Sequence, residues 1–135
     1  MVKVKKKKNE RKKYPRKNRN ISGELVYYIA WTTRKKKPVL WKGINNRLEA
    51  VLVDICREME WTMICSSIKP TYVFLVVRTT TEYSPQQVVF KLKRESAITL
   101  RQEYSELAKM PSLWNLETHI TTVPSSEEDI WQYVY

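Results

Sequence analysis

A tyrosine hydroxyl can attack a phosphodiester, and the segment SSEEDIWQYVY (residues 125–135) ends in two tyrosines, Tyr133 and Tyr135. Little else in the chain has the residue types or spacing for catalysis. There is one histidine, His119, and two cysteines, Cys56 and Cys65, with no CxxC spacing. A closed zinc site needs four nitrogen or sulfur ligands, which this set does not supply. No nucleophile elbow marks a Ser-His-Asp triad. Two glycines, Gly23 and Gly43, are too few for a Gly-rich phosphate loop or a dinucleotide fingerprint. Glu127, Glu128 and Asp129 read as first-turn acids of a helix, complementing its dipole. On residue types alone, packing is the commoner role for a terminal tyrosine, and the nucleophile is the second reading.

Charge is the other chemical feature. Of the 25 Lys and Arg and the 14 acids, eleven basic residues and one acid lie in MVKVKKKKNERKKYPRKNRN, residues 1–20. The remaining 14 basic and 13 acidic residues nearly cancel, so the net +11 describes a tail and not a domain. Such a segment buries too little apolar area to offset its ordering entropy, so it is expected to be disordered alone or ordered on RNA. Its natural partner is a polyanion, whose counterions each bound Lys or Arg releases. A solubilising or targeting tail is the bland alternative. An anionic membrane fits less well, because the tail has no apolar face.

The nucleic-acid contacts expected in the tail are Lys3, Lys5, Lys6, Lys7, Lys8, Arg11, Lys12, Lys13, Arg16, Lys17 and Arg19, with Tyr14 available to stack on a base. A second basic group is Arg34, Lys35, Lys36, Lys37 and Lys42, and a third is Lys91, Lys93 and Arg94. Cys56 and Cys65 read as small buried hydrophobes of a reduced compartment. No signal peptide is visible, and no run has the length of a transmembrane helix.

The elements that must position these residues follow from periodicity. GELVYYIAWTT (residues 23–33) is rich in β-branched and aromatic residues and reads as a strand. Ile44, Leu48, Val51, Leu52, Ile55 and Met59 recur at helical spacing. WTMICSSI and TYVFLVVRT are two further strands. On the second, Tyr72, Phe74 and Val76 share one face and Val73, Leu75 and Val77 the other, so both faces are apolar. YSPQQVVFKLKRESAITLRQEYSEL reads as a long helix with Ser84 as N-cap, Pro85 at the first position and Gln87 closing a capping box. ETHITTV alternates like a strand, and a last helix opens on a second box, Ser125 with Glu128. The order predicts an α+β fold: a ferredoxin-like βαββαβ sandwich with an antiparallel sheet plus a C-terminal helix. Residues 1–20 are the tail and 21–135 the domain. Leu48, Val51, Leu52, Ile55, Val89 and Leu92 are its expected core.

From about Leu25 onward the chain resembles the single-tyrosine HUH transposases of small insertion sequences. VYYIAWTTRKKKPVL is similar to that family's first strand and basic turn. IKPTYVFLVV is similar to the strand carrying the HUH signature. YSPQQVVFKLKRESAITLRQEYSEL is similar to its long helix. LW, THITTV and SSEEDIWQYV are similar to the last strand and the tyrosine-bearing helix. The resemblance implies a strand with two histidines flanking one hydrophobic residue. These bind a divalent metal that polarises the scissile phosphate. It also implies a tyrosine that links covalently to single-stranded DNA, and a dimer that recognises DNA hairpins.

Carried over residue by residue, the histidine positions fall on Tyr72 and Phe74, and the preceding acid on Thr71. Tyr133 matches the nucleophile position, and the glutamine expected four residues on falls beyond Tyr135. With both ligand positions aromatic, the expectation is no metal, no cofactor and no catalysis. The reading is a non-enzymatic nucleic-acid-binding protein on a transposase-like scaffold, with RNA favoured over DNA by analogy to the basic tails of ribosomal proteins. The expected setting is cytoplasmic, on the ribosome, with rRNA and ribosomal-protein neighbours or a homodimer as partners. The alternatives are a transposase-derived DNA-binding protein and an active single-tyrosine transposase.

Overall fold

The computed structural model describes residues 23–135, and the residues expected to contact nucleic acid within 1–20 lie outside that range. The elements in chain order are strand β1 (Glu24–Thr33), a 3-10 turn (Arg34–Lys36), helix α1 (Ile44–Glu58), and strands β2 (Thr62–Lys69) and β3 (Tyr72–Thr80). Then come helices α2 (Pro85–Glu103) and α3 (Ser105–Ala108), strand β4 (Trp114–Thr121) and helix α4 (Glu127–Val134). The sheet order is β2-β3-β1-β4, with every neighbouring pair antiparallel. This is the expected α+β sandwich with one added helix.

The two apolar faces of β3 are explained by what covers them. Tyr27, Ile29 and Trp31 of β1 join Val73, Leu75 and Val77 of β3 under α1 and α2, where Leu48, Leu52, Val88 and Leu92 are buried. Ala30, Tyr72, Phe74 and Val76 face the opposite way and form a second cluster with Ile130 of α4. A strand buried on both sides loses the in-out alternation of a half-exposed one. Val88 takes the inner position on α2, and Val89, expected in the core, packs at its margin.

Local chemistry sets the helix ends. Gly43 caps α1 in the left-handed region at φ 94, where a residue with a Cβ is strained. Ser84 and Gln87 form the expected reciprocal box on α2. The box on α4 is Ser126 with Asp129, one residue later than the expected Ser125 and Glu128. Two adjacent serines and three adjacent acids fit either frame, and Ser125 instead donates its hydroxyl to the Val123 carbonyl. The long helix stops at Tyr104, which is extended, and α3 then brings Leu107 into the core. No Pro or Gly marks that break.

β4 starts earlier than its alternation suggests because Trp114 and Lys93 anchor it. Trp114 donates its indole N–H to the Lys93 carbonyl at 3.0 Å and meets Trp31 edge-on at 5.5 Å. Lys93 Nζ donates to the Asn115 carbonyl at 2.7 Å and to Thr118 Oγ1 at 2.9 Å. Burial pushes its ammonium down to about 8. Lys93 was expected to bind nucleic acid. In the structure it is half-buried and ties α2 to the edge strand β4, with its ammonium 5.8 Å from the centre of the Trp31 ring.

Candidate functional site

The site lies on the sheet face covered by α4. In register, Phe74 stands opposite Ala30 and Ala30 opposite His119, while Ser67 and Lys69 of β2 stand opposite Phe74 and Tyr72. The small side chain at Ala30 leaves room for a helix to sit close. Ile130, 1% exposed, drops into that floor with Val134 beside it. Full burial of such a side chain stabilises by about 2 kcal/mol. The start of α4 is fixed to β2: Glu127 Oε2 accepts from Ser67 Oγ at 3.0 Å and pairs with Lys69 Nζ at 3.1 Å.

With Ile130 and Val134 turned inward, helical spacing sends the aromatic residues to two flanks. Tyr133 projects toward β4 and is 63% exposed, its ring stacked on His119 with centroids 4.2 Å and planes 5° apart. Among the described residues no side chain engages its hydroxyl. Trp131 and Tyr135 stack on the other flank at 4.2 Å and 8°, with Tyr72 tilted against Trp131 at 4.6 Å. The Tyr135 and Thr71 hydroxyls touch. Lys36 Nζ lies 4.7 Å over the centre of the Tyr135 ring.

The two positions where the resemblance implies histidines lie at the bottom of this arrangement. Tyr72 is fully buried and its hydroxyl has no hydrogen-bond partner. Burial, with Glu127 and Glu128 nearby, holds its phenol far above the ordinary tyrosine range. Phe74 offers no donor atom. Among the described residues no three His, Cys, Asp or Glu side chains converge as a metal site would require. A neutral buried phenol and a phenyl ring do not fit the divalent ion that the resemblance implies.

The structure separates the other expected nucleic-acid residues. Lys36 stands at the site, and Lys35 beside it donates its backbone N–H to Asn115 Oδ1. Lys37 is exposed in the same turn, and Arg34 bonds Ser112 Oγ. Lys42 folds over Trp41 at 4.5 Å. Lys91 pairs with Glu95, and Arg94 lies over Phe90, 5.8 Å from its ring centre. With Lys93, these α2 residues are on the far side of the sheet from Tyr133. Three site residues escaped the sequence reading: Trp131, His119 as a partner of Tyr133, and Glu127 as the tie to β2. The i,i+4 spacing of Trp131 and Tyr135 was the one available signal. His119 meets Tyr133 only through strand register.

Residues 22–135 match the family model described as "Transposase IS200 like". The ISDra2 transposase TnpA of Deinococcus radiodurans is 25% identical over 123 residues, covering 88% of each chain. A solved structure from Deinococcus radiodurans R1, assigned as a transposase, aligns with TM-score 0.76 and 27% identity over 87% of this chain and 94% of its own. The REP-associated tyrosine transposase solved on a REP hairpin shares the fold at TM-score 0.56, with 10% identity over 95% of this chain and 68% of its own.

These matches overturn two expectations. The reading of a non-enzymatic protein fails, because the family and the relatives that match are transposases. The reading of a ribosome-associated, rRNA-binding protein fails with it, since the same matches cover the whole body and none is ribosomal. Both errors came from treating the aromatic pair at Tyr72 and Phe74 as decisive and the basic tail as a ribosomal trait. A nucleic-acid partner stands, without the preference for RNA over DNA. Among the described residues no helix is long and apolar enough to cross a membrane.

Proposed function

Because this chain belongs to the IS200-like transposase family, we propose that it cleaves and rejoins single-stranded DNA, with Tyr133 as the nucleophile. The observation that carries this reading is the placement of Tyr133: an exposed phenol on a docked helix, held flat by His119. Tyr135 is the weaker candidate, since its hydroxyl meets Thr71 and its ring is stacked on Trp131.

In the reaction the Tyr133 oxygen attacks phosphorus and a new O–P bond forms. The P–O bond to the neighbouring nucleotide breaks, and the phenolic proton ends on the departing oxygen or in solvent. The product is a covalent protein–DNA ester and a free hydroxyl end. The ester keeps the energy of the broken bond, so a second hydroxyl can reverse the step and join a new strand.

The floor supports this by rigidity. Ile130 and the Glu127 ties hold α4 against β2 and β3, and the His119 ring limits the swing of the phenol. Holding a nucleophile near its attack position is worth several kcal/mol of barrier. Positive charge for the DNA backbone comes from residues 1–20, which we assign as a phosphate-binding extension of the folding unit 21–135, and from Lys35 to Lys37 beside α4. Hairpin binding is a property of the REP-associated relative, and a hairpin with a single-stranded flank is the substrate to try first. The test is whether such DNA becomes attached to the wild-type chain and not to Tyr133→Phe.

A further inference from the structure

Tyr135 has one ring face covered by Trp131 at 4.2 Å, which leaves the other to the Lys36 ammonium, 4.7 Å from the ring centre. The pair lies at the surface: Trp131 is 37% and Tyr135 43% exposed. Two large parallel rings at the surface expose apolar area that the fold does not need for its core, since Ile130 and Val134 already seat the helix. The stack is also rigid. Tyr72 backs Trp131 from below, and Thr71 holds the Tyr135 hydroxyl.

Lys36 reaches the ring from a turn in which it and Lys35 both adopt left-handed backbone, at φ 54 and 52. Lys69, a further cation near α4, is paired with Glu127. Lys36 makes no ion pair among the described residues and is exposed, so its ammonium is free to leave the ring. A flat, backed aromatic face covered only by the end of a flexible cationic side chain suits one ligand class well. A nucleobase presents a flat π-face for the ring, and its phosphate takes the ammonium.

We propose that the outer face of Tyr135, backed by Trp131, is a stacking step for one unpaired base of single-stranded DNA, with Lys36 moving from the ring to the phosphate of that nucleotide. This rests on the reading of the chain as a single-strand transposase and adds a base-holding subsite to it. The subsite lies on the flank of α4 opposite Tyr133, within one helical turn. A strand crossing the end of α4 is thereby held on one side while its backbone passes the nucleophile on the other. Stacking reads no hydrogen-bond pattern, so the step tolerates any base but requires one to be present.

The experiment is an abasic scan in the full chain carrying Tyr133→Phe, so that binding is read without covalent capture. A hairpin with a single-stranded flank is prepared as a set, each member lacking one base of the flank, and affinities are measured by fluorescence anisotropy. One abasic position is expected to weaken binding roughly tenfold, within the range of a single aromatic–base stack. Adding Tyr135→Leu, which keeps an apolar side chain at the helix end, is expected to remove that sensitivity. Adding Lys36→Ala is expected to weaken binding while leaving the sensitive position in place. Equal affinity for every abasic member, or a sensitive position unchanged by Tyr135→Leu, overturns the subsite. Failure of the wild-type chain to form a covalent adduct, with the base-dependent position intact, instead counts against the transposase reading and leaves the stacking step standing.

Discussion

His119 and Tyr133 lie face to face, centroids 4.2 Å and planes 5° apart, on two elements that meet only in the folded chain. Such a stack holds a phenol without consuming its hydroxyl. A ring pair of this kind is worth about 0.5–1.5 kcal/mol. His119→Ala is therefore expected to slow adduct formation about three- to tenfold in single-turnover kinetics, with little change in thermal midpoint because both rings reach solvent. His119→Phe is expected to keep most of the rate. A Phe variant as slow as the Ala variant would mean that the imidazole acts through its nitrogens and not its face.

Lys93 gives a prediction about stability and pH. Its ammonium is held near 8 in the folded chain, below the 10.5 of an exposed lysine, because burial disfavours the charge. Below about pH 8 both states carry the proton and the burial penalty is constant. Between pH 8 and 10.5 the unfolded chain binds more protons than the folded one, so this contribution to stability rises with pH. Urea midpoints at pH 7 and pH 9.5, compared with those of Lys93→Met, are expected to show the wild type gaining on the variant at the higher pH. Parallel behaviour of the two would show that Lys93 is solvated like a surface lysine.

Much of this fold was legible in the chain. The doubly apolar β3, the Ser84–Pro85–Gln87 start of α2 and the period of α1 each follow from local chemistry, and together they specify the sandwich. The family resemblance correctly placed Tyr133 on the last helix. Long-range placement was not legible. Lys93 looks like a surface cation until β4 folds across it, and His119 looks solitary until register sets it beneath Tyr133. Tyr72 and Phe74 lie on the sheet face under α4, and the absence of histidine there was given too much weight against the family. Two missing ligands describe the floor under α4, whereas the proposed nucleophile stands on the helix above it.

The basic extension makes a separate prediction. If about six to eight of its cations meet phosphates, log affinity for single-stranded DNA falls against log salt with a slope of roughly −4 to −6. Deleting residues 1–20 is expected to flatten that slope sharply. The remaining chain should still unfold in one cooperative transition, since the buried clusters lie within residues 27–130. An unchanged slope would show that the extension does not touch the backbone, and a lost transition would place it in the fold.

The most direct test of the account is peptide mapping of the chain after incubation with a hairpin that carries a single-stranded flank. The account predicts a nucleotide attached to the C-terminal peptide through Tyr133, lost in Tyr133→Phe and retained in Tyr135→Phe. Attachment through Tyr135, or an adduct that survives Tyr133→Phe, would contradict the assignment of the nucleophile. No adduct on any substrate with a single-stranded flank would contradict the transposase reading itself.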